Sequence, residues 1–297
     1  MPLPSSISEV KQRPALTGLL ACPDCHAALS VQQDELVCAG CGARYPLLNG
    51  KPIFTPTVDI VQPPEKIERG PNQGTPWRRA NWRFLEGIAA QAGPASLVLD
   101  VGSGMGDFAQ IFQKHAYYTL DVVAHPEVDI VCDLVQRVPF RQGAFDLILV
   151  MNVVEHIFAT REFFRSLAYA LKPGGRLVIA VPFMMKVHMA PYDFHRYTHF
   201  ALAELGREAG LEVVLLEGYY DPAFLMGESA RSVRHWELSK LSRARRSAAR
   251  LLLAGVDALT AGLARLLPPG HLRAPESEKN PSAVGYHLIL QKPESQS

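Results

Sequence analysis

Three glycines and two carboxylates crowd one short stretch, LVLDVGSGMGDF at residues 97–108. Gly102, Gly104 and Gly106 follow an apolar run that ends in Asp100, and Asp107 comes directly after them. A strand that breaks into a Gly-rich turn before a helix can cradle a nucleotide-like cofactor. A nicotinamide dinucleotide asks for G-x-G-x-x-G, the third glycine seating the helix, and here Asp107 holds that place. A pyrophosphate also wants bare N–H groups away from anions, whereas Asp100 and Asp107 flank this turn. S-adenosylmethionine (SAM) carries no phosphate but an ammonium and a sulfonium, which carboxylates favour.

A second constellation is cysteine. Cys22 and Cys25 make one C-x-x-C, and Cys38 and Cys41 make another after twelve intervening residues. Each pair can form a tight knuckle, and four thiolates complete the tetrahedral shell of a structural Zn²⁺ with no open position. Thioredoxin-like redox chemistry would place one pair in a βαβ unit, whereas LVCAGCGARYP reads as a short strand and hairpin. The fifth cysteine, Cys132, reads as a buried apolar residue in a strand.

The third constellation lies in VPFMMKVHMAPYDFHRYTHF, residues 181–200. His188, Asp193, His195, Arg196 and Tyr197 stand there among methionines and phenylalanines, a polar cluster in an apolar frame such as a substrate pocket needs. His188 and His195 are candidate general bases. His156, beside Glu155 in VVEHI, is another. The alternative is that Asp193 and Arg196 pair only to hold the loop, with the histidines exposed. Metal binding by His188, Asp193 and His195 lacks a preformed spacing such as H-x-x-x-H on a helix.

The elements that must position these residues read as an α/β fold. At 297 residues the chain can bury a full core and leave material for a small second domain. Its formal net charge of +1 offers no broad basic surface for nucleic acid. The opening residues are polar rather than signal-like, and no stretch reads as long and uncharged enough to cross a bilayer, so a cytoplasmic protein is expected. After a β-rich zinc ribbon at 17–55 comes a Pro-rich linker at 56–76. WRRANWRFLEGIAAQAG then reads as a helix, either a lid over the cofactor or a sheet-edge packer. Short apolar runs next alternate with helical patterns: LVLDV, YYTLDV, VDIVC, FDLILVM, RLVIAV, LEVVLLEG and, last, GYHLILQK as strands. FAQIFQKH, TREFFRSLAYAL (N-cap Thr160, closed by Gly174-Gly175) and THFALAELGREAG (N-cap Thr198) are the interleaved helices. Ligands in such sheets sit beyond the strand carboxyl ends. Those ends hold Asp100 and the glycine turn, then Asp121, then Asp133-Leu134, then Met151-Asn152.

Together LDVGSGMG, the acid at Asp121, VPFRQGAFDLILVMNVVEHI and LKPGGRLVIAVP resemble a class I SAM-dependent methyltransferase over residues 97–217 plus the final strand. The resemblance implies a seven-stranded Rossmann-like sheet with helices on both faces and an antiparallel last strand. It places Asp100, Gly102 and Gly104 at the methionine portion, Asp121 at the ribose, and Asp133 and Leu134 at the adenine. Ser103, Gly106, Met151 and Asn152 complete the candidate cofactor set. Residues 17–55, with C-P-x-C, C-x-x-C-G and Tyr45-Pro46, resemble the zinc-ribbon module of the eukaryotic tRNA-methyltransferase activator. The methyltransferase domain would span 77–220 and resume at 281–293.

Three functions follow from this reading. The first is O-methylation of a small molecule or a glycan- or lipid-linked intermediate, with Glu155, Asp193, Arg196 and Tyr197 on the acceptor side. The loop also resembles a pattern in bacterial methyltransferases linked to sugar or surface-glycan pathways. The second is RNA methylation through the ribbon, which mixes Asp24, Asp34 and Glu35 with its few basic residues and so makes a poor RNA footprint. The third is a non-catalytic partner, which the intact strand ends oppose. Residues 221–280 read as a helical insertion before the last strand, with arginines first and then a leucine face. That face suits an interfacial helix at 231–268 on anionic lipid at the inner membrane face, or else it packs on the sheet, forms a lid or makes a homodimer.

Overall fold

The computed structural model describes residues 16–55, 70–235, 241–267, 269–273 and 283–294. Most of the proposed linker, parts of the insertion and the polar leader lie outside these.

The N-terminal module is an antiparallel meander of β1 (Leu29–Gln32), β2 (Glu35–Cys38), β3 (Arg44–Leu48) and β4 (Lys51–Pro52). Leu36 pairs across the ladder with Tyr45, and both are buried. At the knuckles His26 N–H donates to Cys22 O (2.7 Å), and Gly42, at φ +74°, donates to Cys38 O (3.2 Å). The four sulfurs converge: Cys22 and Cys41 lie 3.7 Å apart and Cys25 and Cys38 3.4 Å. The Cys41 amide, aided by that of Gly40, donates to the Cys38 sulfur and draws its pKa down to about 6, which favours the thiolate a metal needs.

Helix α1 (Pro76–Gln91) follows, its first turn capped by Thr75, whose hydroxyl accepts from Arg78 N–H (3.1 Å). The sheet comprises β5 (Leu97–Val101), β6 (Ala116–Asp121), β7 (Ile130–Val131), β8 (Phe145–Met151) and β9 (Leu171–Pro182), with β10 (Glu212–Tyr220), β11 (Gly270–Arg273) and β12 (Gly285–Gln291) completing it. Its order is β11-β10-β12-β9-β8-β5-β6-β7. The strands from β7 to β9 pair in parallel, and β12 runs antiparallel to both β9 and β10. This is the seven-stranded arrangement expected, with an eighth strand, β11, added at the β10 edge by the insertion. The order reverses between β5 and β8, so their carboxyl ends form a crevice.

Period-two alternation divides the core. Val98, Leu147, Leu149, Met151, Val178 and Ala180 face α1 with its Trp77, Trp82, Leu85 and Ile88. Leu99, Val101, Ile148, Val150, Leu177 and Ile179 face the other side, where Phe163, Phe164 and Leu167 of α2 (Thr160–Ala170) and Leu202 of α3 (His199–Glu208) cover them. Burial on both faces is why these strands read as continuous apolar runs. Buried side chains of this size each contribute about 1.5–3 kcal/mol.

Three local expectations are corrected. FAQIFQKH forms only a 3₁₀ helix at Ala109–Phe112; between the glycine turn and β6 the chain is too short to repay α-helix nucleation. Thr160 does not cap α2, because its hydroxyl donates to Ile157 O (2.9 Å) and meets Tyr197 Oη (2.5 Å) instead. Gly174 and Gly175 lie within β9, the helix having ended at Leu171, where Gly174 N–H donates to Lys292 O. Thr198 caps α3 as expected, accepting from Ala201 N–H (3.3 Å).

The ribbon shares the core of the sheet. Ala21 N–H donates to Pro139 O (3.0 Å), Arg141 N–H to Leu19 O (3.0 Å) and Phe54 N–H to Val131 O (2.8 Å). Leu20, Leu36, Tyr45 and Phe54 belong to the same apolar cluster as Ile130, Phe140 and Phe145. The module therefore buttresses the β7 edge.

The insertion holds α4 (Pro222–His235) and α5 (Arg243–Leu266). Its apolar face does not pack on the sheet, which corrects one expectation: no residue of α5 is buried, and Leu252 and Leu266 are 72% and 78% exposed. Among the described residues α5 is also the one helix long and apolar enough to cross a membrane by length and composition, another departure from the reading above.

One zinc per chain is expected by metal analysis, held by Cys22, Cys25, Cys38 and Cys41. Structural zinc contributes roughly 10–16 kcal/mol of apparent binding energy in small modules. Cys38→Ser should therefore speed amide exchange not only in the ribbon but at Phe54 and Arg141, across the shared seam. Zinc-free protein with unchanged exchange would contradict this.

Candidate active site

The glycine turn leaves β5 through three left-handed residues, Gly102, Gly104 and Gly106, at φ +70°, +51° and +69°. At Gly102 the requirement is doubled, since a Cβ there would lie 2.3 Å from Val153 Cγ2. The turn is tied to β6: Gly102 N–H donates to Leu120 O (2.8 Å), and Gly104 N–H to Asp121 Oδ2 (2.9 Å). On the β8 side Asn152 takes φ +56° and donates its N–H to Ala180 O (2.8 Å). Its side-chain oxygen accepts from Trp77 Nε1 (2.7 Å), fastening the start of α1 over the crevice.

Between these parts lies a cavity of about 560 Å³. One wall is the turn with Asp100, Ser103, Asp107 and Phe108; another is Thr75, Trp77 and Arg78; the far side is Met151, Asn152, Glu155, Met185, Lys186 and His188. Asp100 is buried and accepts a hydrogen bond from Tyr117 Oη; burial, only partly offset by that bond, pushes its pKa up to about 7. Asp107 pairs with Arg78 at 3.6 Å, and the Arg78 guanidinium also lies over the Trp82 and Phe108 rings.

The far wall of the cavity is held by the segment after β9. Asp193 grips Arg196 through two bonds of 2.6 and 2.7 Å, which holds its carboxyl far below the usual range. Arg196 further donates to the carbonyls of Met185 (3.3 Å), Lys186 (3.1 Å) and His195 (2.8 Å). Glu155 is fully buried, and neither of its carboxylate oxygens has a hydrogen-bond partner. Burial pushes its pKa up to about 8. His188 and His156 both present Nε2 to Glu155 Oε1, each at 3.7 Å.

Residues 77–216 match the family described as "Methyltransferase domain", and residues 13–50 match "Trm112p-like protein". Residues 77–216 thus carry a methyltransferase domain, behind a Trm112p-like module. Its methyltransferase region is 28% identical over 109 residues to a demethylmenaquinone methyltransferase of Streptomyces griseus, covering 33% of this chain and 47% of that one. A biotin biosynthesis bifunctional protein of Cellvibrio japonicus is 32% identical over 115 residues, 35% of this chain and 23% of the relative. The chain thus spans about half the length, or less, of these curated relatives. Among solved structures, the Burkholderia thailandensis 1,6-didemethyltoxoflavin-N1-methyltransferase is 18% identical, with TM-score 0.45 over 72% of this chain and 79% of the other.

The methyltransferase site fits its cofactor on local grounds. Ser103 Oγ is buried without a partner, the space beside Gly104 is open, and three carboxylates (Asp100, Asp107 and Asp121) ring the turn. Of the residues expected from sequence, Asp100, Gly102, Ser103, Gly104, Met151, Asn152, Glu155 and His188 line the cavity. Asp121 stands behind the turn, and Asp133 beyond it, holding Val135 N–H (2.9 Å) and Gln136 Nε2 (2.8 Å). Leu134 is buried in the core, and Gly106 supports the turn from outside the cavity. Asp193, Arg196 and Tyr197 also stay outside its lining: the first two shape the loop, and Tyr197 bonds Thr160. His195 sits against Tyr197 and Phe158 rather than on the cavity. Sequence reasoning missed Thr75, Arg78, Met185 and Lys186; the helix-start signal Thr75-Pro76 was the one available hint, and it supports the lid reading of α1.

Replacing Asp121 by Ala should weaken SAM affinity at least tenfold, since losing a charged acceptor at a hydrogen-bonded site costs on the order of 1.5–3 kcal/mol. Calorimetric titration showing unchanged affinity would dismiss the ribose assignment.

Proposed function

We propose that this methyltransferase transfers a methyl group from SAM to an oxygen of a small-molecule, glycan or lipid-linked acceptor. The observation that carries the reading is the placement of Glu155 and His188 in the cavity wall across from the glycine turn. SAM brings an already activated methyl, so the protein's share is alignment and removal of the hydroxyl proton. Asp100, Ser103 and the turn hold the donor end. Met151, Met185 and Trp77 give the acceptor an apolar frame that limits water, and Glu155 and His188 face the acceptor hydroxyl, with His156 set against Glu155 at 3.7 Å. Arg196 and Asp193 keep that group in place without touching the acceptor. The ribbon's role is to brace the β7 edge, and its mixed charge supports no RNA reading.

The lipid-linked class is favoured by α5. Arg243, Arg245, Arg246 and Arg250 precede exposed Leu251, Leu252, Leu259 and Leu266. Basic residues beside an apolar face suit a helix lying on anionic lipid. Asp257, midway along, makes a full span costly. We place the enzyme at the cytoplasmic membrane face on this ground.

His188→Ala should lower turnover about 10²–10⁴-fold while leaving SAM binding intact; full activity on an O-acceptor would refute the role of this group. In flotation with anionic liposomes at low salt, the intact protein should rise, and a variant lacking residues 231–268, or carrying Leu252→Asp and Leu259→Asp, should not. If the intact protein stays at the bottom, the interfacial reading fails.

A further inference from the structure

Three acceptor atoms meet beside the cavity. His156 Nδ1 faces the carbonyl oxygen of Tyr192 at 2.8 Å. A carbonyl only accepts, so Nδ1 carries the proton and Nε2 presents its lone pair. His188 Nδ1 faces two acceptors, Asp193 Oδ2 at 3.2 Å and Lys186 O at 3.3 Å, which fixes the same tautomer. Both free Nε2 atoms point at Glu155 Oε1, 3.7 Å from each, and the three atoms lie within 4.8 Å of one another. The Glu155 oxygens are buried and unpartnered. Converging lone pairs around a buried carboxyl repel unless a proton or a metal ion stands among them; a proton bridges only two of the three atoms, whereas a metal ion satisfies all three at once. The neighbouring Arg196 charge does not fill that role, since Asp193 holds it with both oxygens.

We infer that Glu155, His156 and His188 form a site for a divalent transition-metal ion, distinct from the cysteine ribbon. Two imidazoles and one carboxylate are a ligand set suited to Mn²⁺, Fe²⁺, Co²⁺ or Zn²⁺. Ligands about 2.1 Å from an ion stand about 3–3.5 Å apart, so the two Glu155–histidine separations of 3.7 Å need only a small contraction, and the two imidazoles, within 4.8 Å, a further approach by side-chain rotation. The supporting shell is built: a backbone carbonyl and a carboxylate orient the imidazoles from behind, as bound histidines require. Glu155 and His188 line the cavity, so an open coordination position faces the acceptor. There the ion would bind the acceptor oxygen and ease loss of its proton to solvent, in place of a histidine base. That use rests on the proposed O-methyl transfer; the binding of the ion does not.

Co²⁺ titrated into full-length protein with its ribbon zinc-loaded tests the inference directly. One further equivalent should bind, giving visible d–d bands without the sulfur-to-metal charge transfer of a cysteine site. Glu155→Gln and His156→Ala should each weaken that equivalent at least tenfold, with folding verified by an unchanged thermal unfolding midpoint of the ribbon-zinc form. No second equivalent in the wild-type protein, or undiminished binding in a folded Glu155→Gln variant, overturns the site. Cobalt binding without any O-methylated product would instead overturn the acceptor reading and leave the metal site standing.

Discussion

The contact between Gly102 and Val153 is the constraint on which the rest of the site depends. Where β5 and β8 diverge, the backbone of one runs so close to the side chain of the other that a single Cβ at Gly102 would stand 2.3 Å from a Val153 methyl. Only a residue without a side chain, and free to take φ +70°, lets the two carboxyl ends meet. From that meeting the turn reaches sideways to Asp121 through the Gly104 amide, and Val153 leads within two residues to Glu155. The two walls of the cavity are thereby set relative to one another by one close approach.

Support for this contact arrives from both faces of the sheet. Trp77 of α1 reaches Asn152 from one face. It also stacks on His287 of β12, which is buried between Trp77 and Phe84 and bonded to Asn81 Oδ1 (2.8 Å). From the opposite face the ribbon seals the β6–β7 edge by sharing its core. The ribbon thus meets the sheet through shared packing and backbone hydrogen bonds, and places no residue in the cavity lining. A rigid frame of this kind suits a reaction in which alignment of donor and acceptor is most of the protein's task.

The charges are arranged in two groups with different management. Around the glycine turn the carboxylates are individually answered, Asp100 by Tyr117, Asp107 by Arg78 and Asp121 by backbone amides. Across the cavity Asp193 is answered by Arg196, whereas Glu155 meets only the lone pairs of two histidines. That asymmetry separates the two walls of the cavity: one holds carboxylates that are each paired, the other a buried carboxyl set against two imidazoles.

What the sequence determined by itself follows from short-range chemistry. The glycine spacing, the acids at strand ends and the paired C-x-x-C knuckles are local requirements, so the glycine turn, the cysteine cluster and the parallel sheet were legible in residue order. Period-two apolar runs and the Thr198 cap were legible for the same reason. The 3₁₀ turn at Ala109–Phe112, the hydroxyl of Thr160 turned to Tyr197 and the eighth strand depended on available chain length and on distant partners. So did the acceptor side: His188 and His195 look equivalent in sequence, yet the Asp193–Arg196 pair folds the loop so that one joins Glu155 in the cavity and the other packs against Tyr197. Which ring nitrogens face the carboxylate was decided only in three dimensions, because the acceptors that fix those tautomers, the Tyr192 carbonyl and Asp193, are brought to the two imidazoles by the fold rather than by spacing along the chain.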